Sequence, residues 1–148
     1  MLNETLKALF KRDLTKLKVE IESYQKESNI WIIGDGISNS AGNLCLHLVG
    51  NINGFIGAQI GKTGYVRQRE LEFSLKDVPR AELIKRIEDT ILIVDSVLDG
   101  LTAEQFESLY PIEVFGQPMT TEYFLVHLAM HLDYHLGQIN YHRRLLDK

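Results

Sequence analysis

The segment "TTEYFLVHLAMHLDYHLGQINYHRRLLDK", from Thr120 onward, constrains the fold more than any other stretch. It follows Pro118 and contains no further proline, and Leu125, Leu128, Leu132, Leu136 and Ile139 recur by threes and fours. That spacing predicts one helix over 120–146, roughly 39 Å long at a rise of about 1.5 Å per residue. At about 100° per residue, His127, His131, His135, Gln138 and His142 share one stripe roughly 80° wide, directly beside the leucine stripe. A polar stripe bordering the apolar face is at least partly buried, and buried imidazoles need partners.

A helix of this length buries its apolar face against other helices, and three further segments have the matching period. Residues 3–27 carry Leu6, Phe10, Leu14, Leu17, Ile21 and Tyr24 behind an expected Asn3 cap. Residues 38–60 open after Ser38 and run through Leu44, Leu48, Ile52, Phe55 and Gln59. Residues 78–99 start at Asp77 and Pro79, a cap and a first-turn proline, and present Ile84, Ile87, Ile91, Val94 and Leu98 before Gly100. No segment alternates as a strand, and "IWIIGDGISNS" reads as a buried loop anchored by Trp31. The expectation is an all-α chain, a four-helix bundle forming a single domain over 1–148. The connections 61–77 and 101–119 exceed the usual two to eight or so residues, which implies a crossover or loops that cap one end of the bundle.

A net charge of −4 argues against general nucleic-acid binding, which needs a concentrated basic surface. The densest basic stretch, Lys7 to Lys18, is interleaved with Asp13 and reads as a solvated helix side. Cys45 is alone, so an intramolecular disulfide is impossible. With no signal pattern and no membrane-length apolar run, the expected location is the cytoplasm.

The second helical segment carries its own polar stripe. Asn43, His47 and Asn51 lie at i, i+4 and i+8 in otherwise apolar sequence. Two polar stripes inside one bundle are costly unless they face each other around something, and a divalent metal is the simplest such thing. Histidines four apart on one helix, with a third imidazole from a facing helix, suit an open three-histidine site that leaves a position for water or substrate. The wheel leaves open which pair among His127, His131, His135 and His142 serves, and packing roles for these histidines remain possible alternatives. A zincin needs His-Glu-x-x-His, but Leu132 takes the glutamate position, and the Glu-x-x-His pairs of carboxylate-bridged di-iron bundles are absent. Cys45 lies about 160° from His47 around a helix and reads as a core thiol.

The element "HLDYHLGQINYHRR", together with one upstream histidine in "GISNSAGNLCLHLVGNINGFIGAQIGKTGYVRQRELEF", resembles the DinB/YfiT-like superfamily of metalloenzymes, over most of the chain. The resemblance implies a four-helix bundle of that type with a metal site of His47, His131 and His135, the latter two preceding Gly137 and Gln138. His127 and His142 fall outside the pattern. Some relatives are thiol-dependent S-transferases or isomerases using bacillithiol, mycothiol or glutathione, whereas many have no known reaction.

The leading functional expectation is therefore a metal-dependent thiol S-transferase acting on a small molecule, with zinc or nickel as the ion and a low-molecular-weight thiol as cofactor. The alternatives are a metal-dependent hydrolase and a non-enzymatic metal- or ligand-binding dimer. No Asp or Glu lies on the histidine stripe, which favours the thiol reading over hydrolysis. Gln138, Asn43 and Asn51 are expected to orient the ligands. Arg67 and Arg69 are candidates to hold an anionic cofactor at a mouth roofed by the loop with Tyr65, surface pairing with Glu70 or Glu72 being the alternative. Gly137, costly in mid-helix by about 1 kcal/mol, is expected to admit a neighbouring helix.

Overall fold

The computed structural model describes residues 1–148 and is all-helical. Six α-helices follow in order: α1 (Leu2–Ser23), α2 (Ala41–Ile52), α3 (Arg69–Ser74), α4 (Arg80–Asp99), α5 (Ala103–Glu107) and α6 (Thr121–Leu146). A 3-10 turn, Glu27–Trp31, stands between α1 and α2, and a π-helical stretch, Asn53–Ala58, extends α2. The only β-type pairing is one isolated bridge between Leu109 and Thr120. No helix is long and apolar enough to cross a membrane.

The four long helices surround one core. α1 packs on α4 and α6, and α2 packs on the same two helices. Leu6, Phe10, Leu14, Leu17 and Ile21 of α1 are all buried, as are Leu83, Ile87, Val94 and Leu98 of α4. Burying each such side chain contributes about 1.5–3 kcal/mol relative to leaving it in water. α2 is the central element, with every residue from Ala41 to Ile52 buried. Any polar side chain on α2 therefore enters the interior, and it must find a partner there. Two of the five cations between Lys7 and Lys18 tie α1 to α4: Lys7 reaches Asp99 at 2.7 Å and Lys18 reaches Glu88 at 2.6 Å.

Several boundaries differ from the sequence reading for identifiable reasons. Asn3 does not cap α1; it is buried inside the first turn, and Met1 precedes the helix. α1 ends at Ser23, because Tyr24 is extended (ψ 127°) and turns the chain into the 3-10 segment that buries Trp31. α2 opens at Ala41 because Ser40, not Ser38, accepts the Asn43 amide at 3.1 Å. Asp77 adopts a positive φ of 55°, and Pro79 stands immediately before α4, with no side-chain cap. The two long connections hold the short helices α3 and α5, neither of which the periodicity reveals. Thr102 and Gln105 form a reciprocal capping box that starts α5.

The π stretch comes from α2 running into a glycine-rich end. Gln59 donates to Gly54, and Gly61 to Ile56, each five residues back. The widened turn leaves the Phe55 carbonyl to accept the Tyr110 hydroxyl at 2.6 Å, which fastens the 101–119 connection to the end of α2.

At the opposite end, His142 holds three segments together. Its Nε2–H donates to the Ile32 carbonyl at 2.8 Å, which leaves Nδ1 to accept the Tyr24 hydroxyl at 2.7 Å. Asp147, just past α6, accepts the Gln25 amide at 2.7 Å and the Asn29 side chain at 2.9 Å. His142 is thus a fully partnered core histidine. Gly137, by contrast, does not admit a helix: a Cβ there would meet nothing within 4 Å. The close approaches are at Gly42, where a Cβ would lie 2.7 Å from Trp31 ring atoms, at Gly50, and at Gly61, where it would lie 2.4 Å from the Val97 side chain.

Candidate metal centre

α2 and α6 bring their polar stripes together where they cross. His47 Nε2 lies 3.2 Å from His131 Nε2, which lies 3.1 Å from His135 Nε2. One ligating nitrogen from each of the three falls within 4.8 Å of the others, a group that can hold a metal ion. Tetrahedral zinc with bonds of about 2.0–2.1 Å sets its nitrogens about 3.3 Å apart, close to both short separations.

The hydrogen bonds behind the rings fix which nitrogen faces inward. His47 Nδ1 lies 3.0 Å from Glu72 Oε1 and donates to that carboxylate, so its Nε2 carries a bare lone pair. His135 Nδ1 lies 2.6 Å from Gln138 Oε1 and donates to it, so the same holds there. His131 Nδ1 is buried and has no hydrogen-bond partner. A proton on His131 Nε2 would serve only one of the two facing lone pairs, and a proton on Nδ1 would leave three lone pairs converging. A cation between them satisfies all three, so the donor set fits a metal.

The electrostatics agree with this. Burial, reinforced by the neighbouring histidines and Arg67, lowers the His131 pKa to about 4. Burial likewise lowers His135, while its bond to Gln138 pulls the other way. At neutral pH both rings are neutral and available as ligands.

Glu72 is the residue that sequence reasoning missed. It sits on α3, in the connection expected to be a loop, and it is buried. Burial raises its pKa, but hydrogen bonds from Arg67 and His47 outweigh that and hold the carboxyl below its ordinary value. Arg67 grips it as a fork, Nε to Oε2 and Nη2 to Oε1, each at 2.8 Å. Gly50, three residues beyond His47, leaves the room that this carboxylate occupies. A glycine one turn from a candidate ligand, in an otherwise apolar helix, was the available signal.

The remaining expected site residues are distributed as follows. Gln138 orients His135, as the one-turn spacing implies. Asn43 does not touch a ligand; its Nδ2 donates to the Glu72 and Leu75 carbonyls at 3.0 and 2.8 Å and so secures the end of α3. Asn51 does not orient His47 either, and its buried Oδ1 has no partner. Arg67 pairs with Glu72, the carboxylate pairing that the sequence offered as the alternative. The guanidinium of Arg69 lies 5.2 Å above the Phe73 ring, which itself packs 4.9 Å from the His47 ring. Tyr65 is exposed. His127 stacks on Phe124 with its ring 6.3 Å from that of His131, beside the centre but outside the converging group.

The architecture and the centre define an all-helical protein with a three-histidine cluster between two core helices. Residues 3–148 match the model of the family described as "Protein of unknown function (DUF1572)", and the chain belongs to that family. No curated protein matches the chain.

Proposed function

We propose that this protein is a DinB/YfiT-like four-helix-bundle metalloenzyme, cytoplasmic, that binds zinc or nickel through His47, His131 and His135 and catalyses thiol S-transfer onto a small-molecule electrophile. The observation that carries the metal reading is the convergence of three Nε2 atoms, two of them fixed as lone-pair donors by Glu72 and Gln138. When bound, the ion would lower the pKa of a thiol cofactor so that its sulfur is available as thiolate at neutral pH. The chain's residues supply the rest. Glu72 and Gln138 hold two rings in the ligating orientation, and Arg67 keeps Glu72 ionised. The new sulfur–carbon bond forms as the leaving group departs, and the thiol proton passes to water.

The thiol reading is favoured over hydrolysis because the carboxylate at the centre lies behind His47, with both oxygens bonded, and cannot act as a base on the Nε2 side. Hydrolysis is the second reading, supported by His127, a possible proton carrier with its ring 6.3 Å from that of His131. The test is turnover by metal-replete protein of a panel of electrophiles with bacillithiol, mycothiol or glutathione. Conjugation that is lost in His135→Ala supports the proposal. Metal-dependent ester or amide cleavage that needs no thiol and falls in His127→Gln supports the hydrolase. Metal uptake with neither activity favours the non-enzymatic, dimeric binding protein.

A further inference from the structure

A cavity of about 600 Å³ lies between the loop of residues 34–39 and the C-terminal half of α6, and His135 and Gln138 form part of its wall. Its volume falls in the range of about 300–1,000 Å³ typical of small-molecule sites. Ile37, Tyr134, Tyr141 and Leu145 give it an apolar and aromatic lining, and each of the four is more than a third exposed. No Lys or Arg lines it, and its one carboxylate is Asp35. Asp35 is exposed and takes part in none of the chain's ion pairs, unlike Glu72 with its arginine. The guanidinium of Arg144 is seated 5.2 Å over the Tyr141 ring.

Polarity selects the ligand. In the metal-free chain a carboxylate or phosphate entering this cavity meets no Lys or Arg to offset its lost hydration, and Asp35 adds repulsion. An ammonium group meets the Asp35 carboxylate and the Tyr134 ring, while an aromatic or aliphatic body fills the space between Ile37 and Leu145. We infer that this cavity is the binding site for the small-molecule reactant of the adjacent centre, and that this reactant is an amine-bearing compound with an apolar body, not an anion. As to its role, the inference rests on the proposal that the three histidines form the reactive centre. It also separates the two reactants: with no Lys or Arg in its lining, this cavity takes the acceptor, not an anionic thiol.

The test compares three probes that share a phenylethyl body, phenethylamine, 3-phenylpropanamide and 3-phenylpropionate, titrated into metal-free protein and followed by amide and side-chain NMR shifts. The expected result is saturable shifts at Ile37, Tyr134, Gln138 and Tyr141 with phenethylamine, and affinity at least about tenfold weaker for phenylpropionate. Asp35→Asn should remove that preference and Asp35→Lys reverse it. Equal or tighter binding of the carboxylate, no saturable shift with any probe, or an unchanged amine preference in Asp35→Asn overturns the inference. Zinc uptake is titrated separately. If the amine binds but zinc does not, the metal reading fails and the amine site stands. If zinc binds without an amine preference, the reverse holds.

Discussion

Glu72 occupies the space that a side chain at Gly50 would need: a Cβ built on Gly50 would lie 2.0 Å from Glu72 Oε2. The atom that would have to move is the tip of a flexible side chain, so the backbone can tolerate Gly50→Ala. The bonds that Glu72 makes to Arg67 and His47 cannot. The expected outcome is a variant that still folds but melts below wild type, and that binds zinc about 10–100-fold more weakly. Glu72→Ala should match it, and Glu72→Gln, which keeps an acceptor for His47 Nδ1–H, should recover part of the loss. Isothermal titration with zinc against thermal melts separates the two effects.

Elemental analysis should find one equivalent of metal in wild-type protein and well under a tenth of that in His47→Ala, His131→Ala or His135→Ala. His127→Ala and His142→Ala should retain it. Loss of metal in His127→Ala with retention in His135→Ala would mean that the other pair on α6 provides the ligands.

The acid response of the metal-free protein has a defined sign. His131 falls from an ordinary 6.5 to about 4 in the folded chain, so between these values the unfolded state binds the extra proton. Stability should therefore decline as pH drops through that window and level off below it. Urea melts of metal-free wild type and His131→Gln at several pH values test this, since the variant should lose that part of the slope. His135 shifts in the same direction and leaves a residual slope.

Tyr24→Phe removes the hydroxyl that His142 Nδ1 accepts and leaves a buried acceptor without a partner. The cost should be about 1–3 kcal/mol in denaturant unfolding. Metal stoichiometry should not change, because this histidine belongs to the packing of α6 on α1.

Much of the centre was legible in the sequence because helical period puts His127, His131, His135, Gln138 and His142 on one stripe and His47 on another, and the resemblance of the His-x-x-x-His-x-Gly-Gln element selects His131 and His135. What periodicity cannot supply is the content of a long connection. α3 is six residues long, too short for a repeat, and Asn43 holds its end by bonds to carbonyls whose positions depend on the tertiary fold. Glu72 and Arg67 consequently read as surface charges until the structure placed them behind His47. Gly137 misled for a related reason. A mid-helix glycine signals either close contact or open space, and only the neighbours decide between them.

Cys45 is fully enclosed within α2, and burial pushes its thiol up to about 12. The chain therefore exposes no thiol of its own. Iodoacetamide should leave Cys45 unlabelled in the native protein and label it only on unfolding. The proposed S-transfer activity, exercised by such a chain, would leave its own thiol out of reach of the electrophiles it handles.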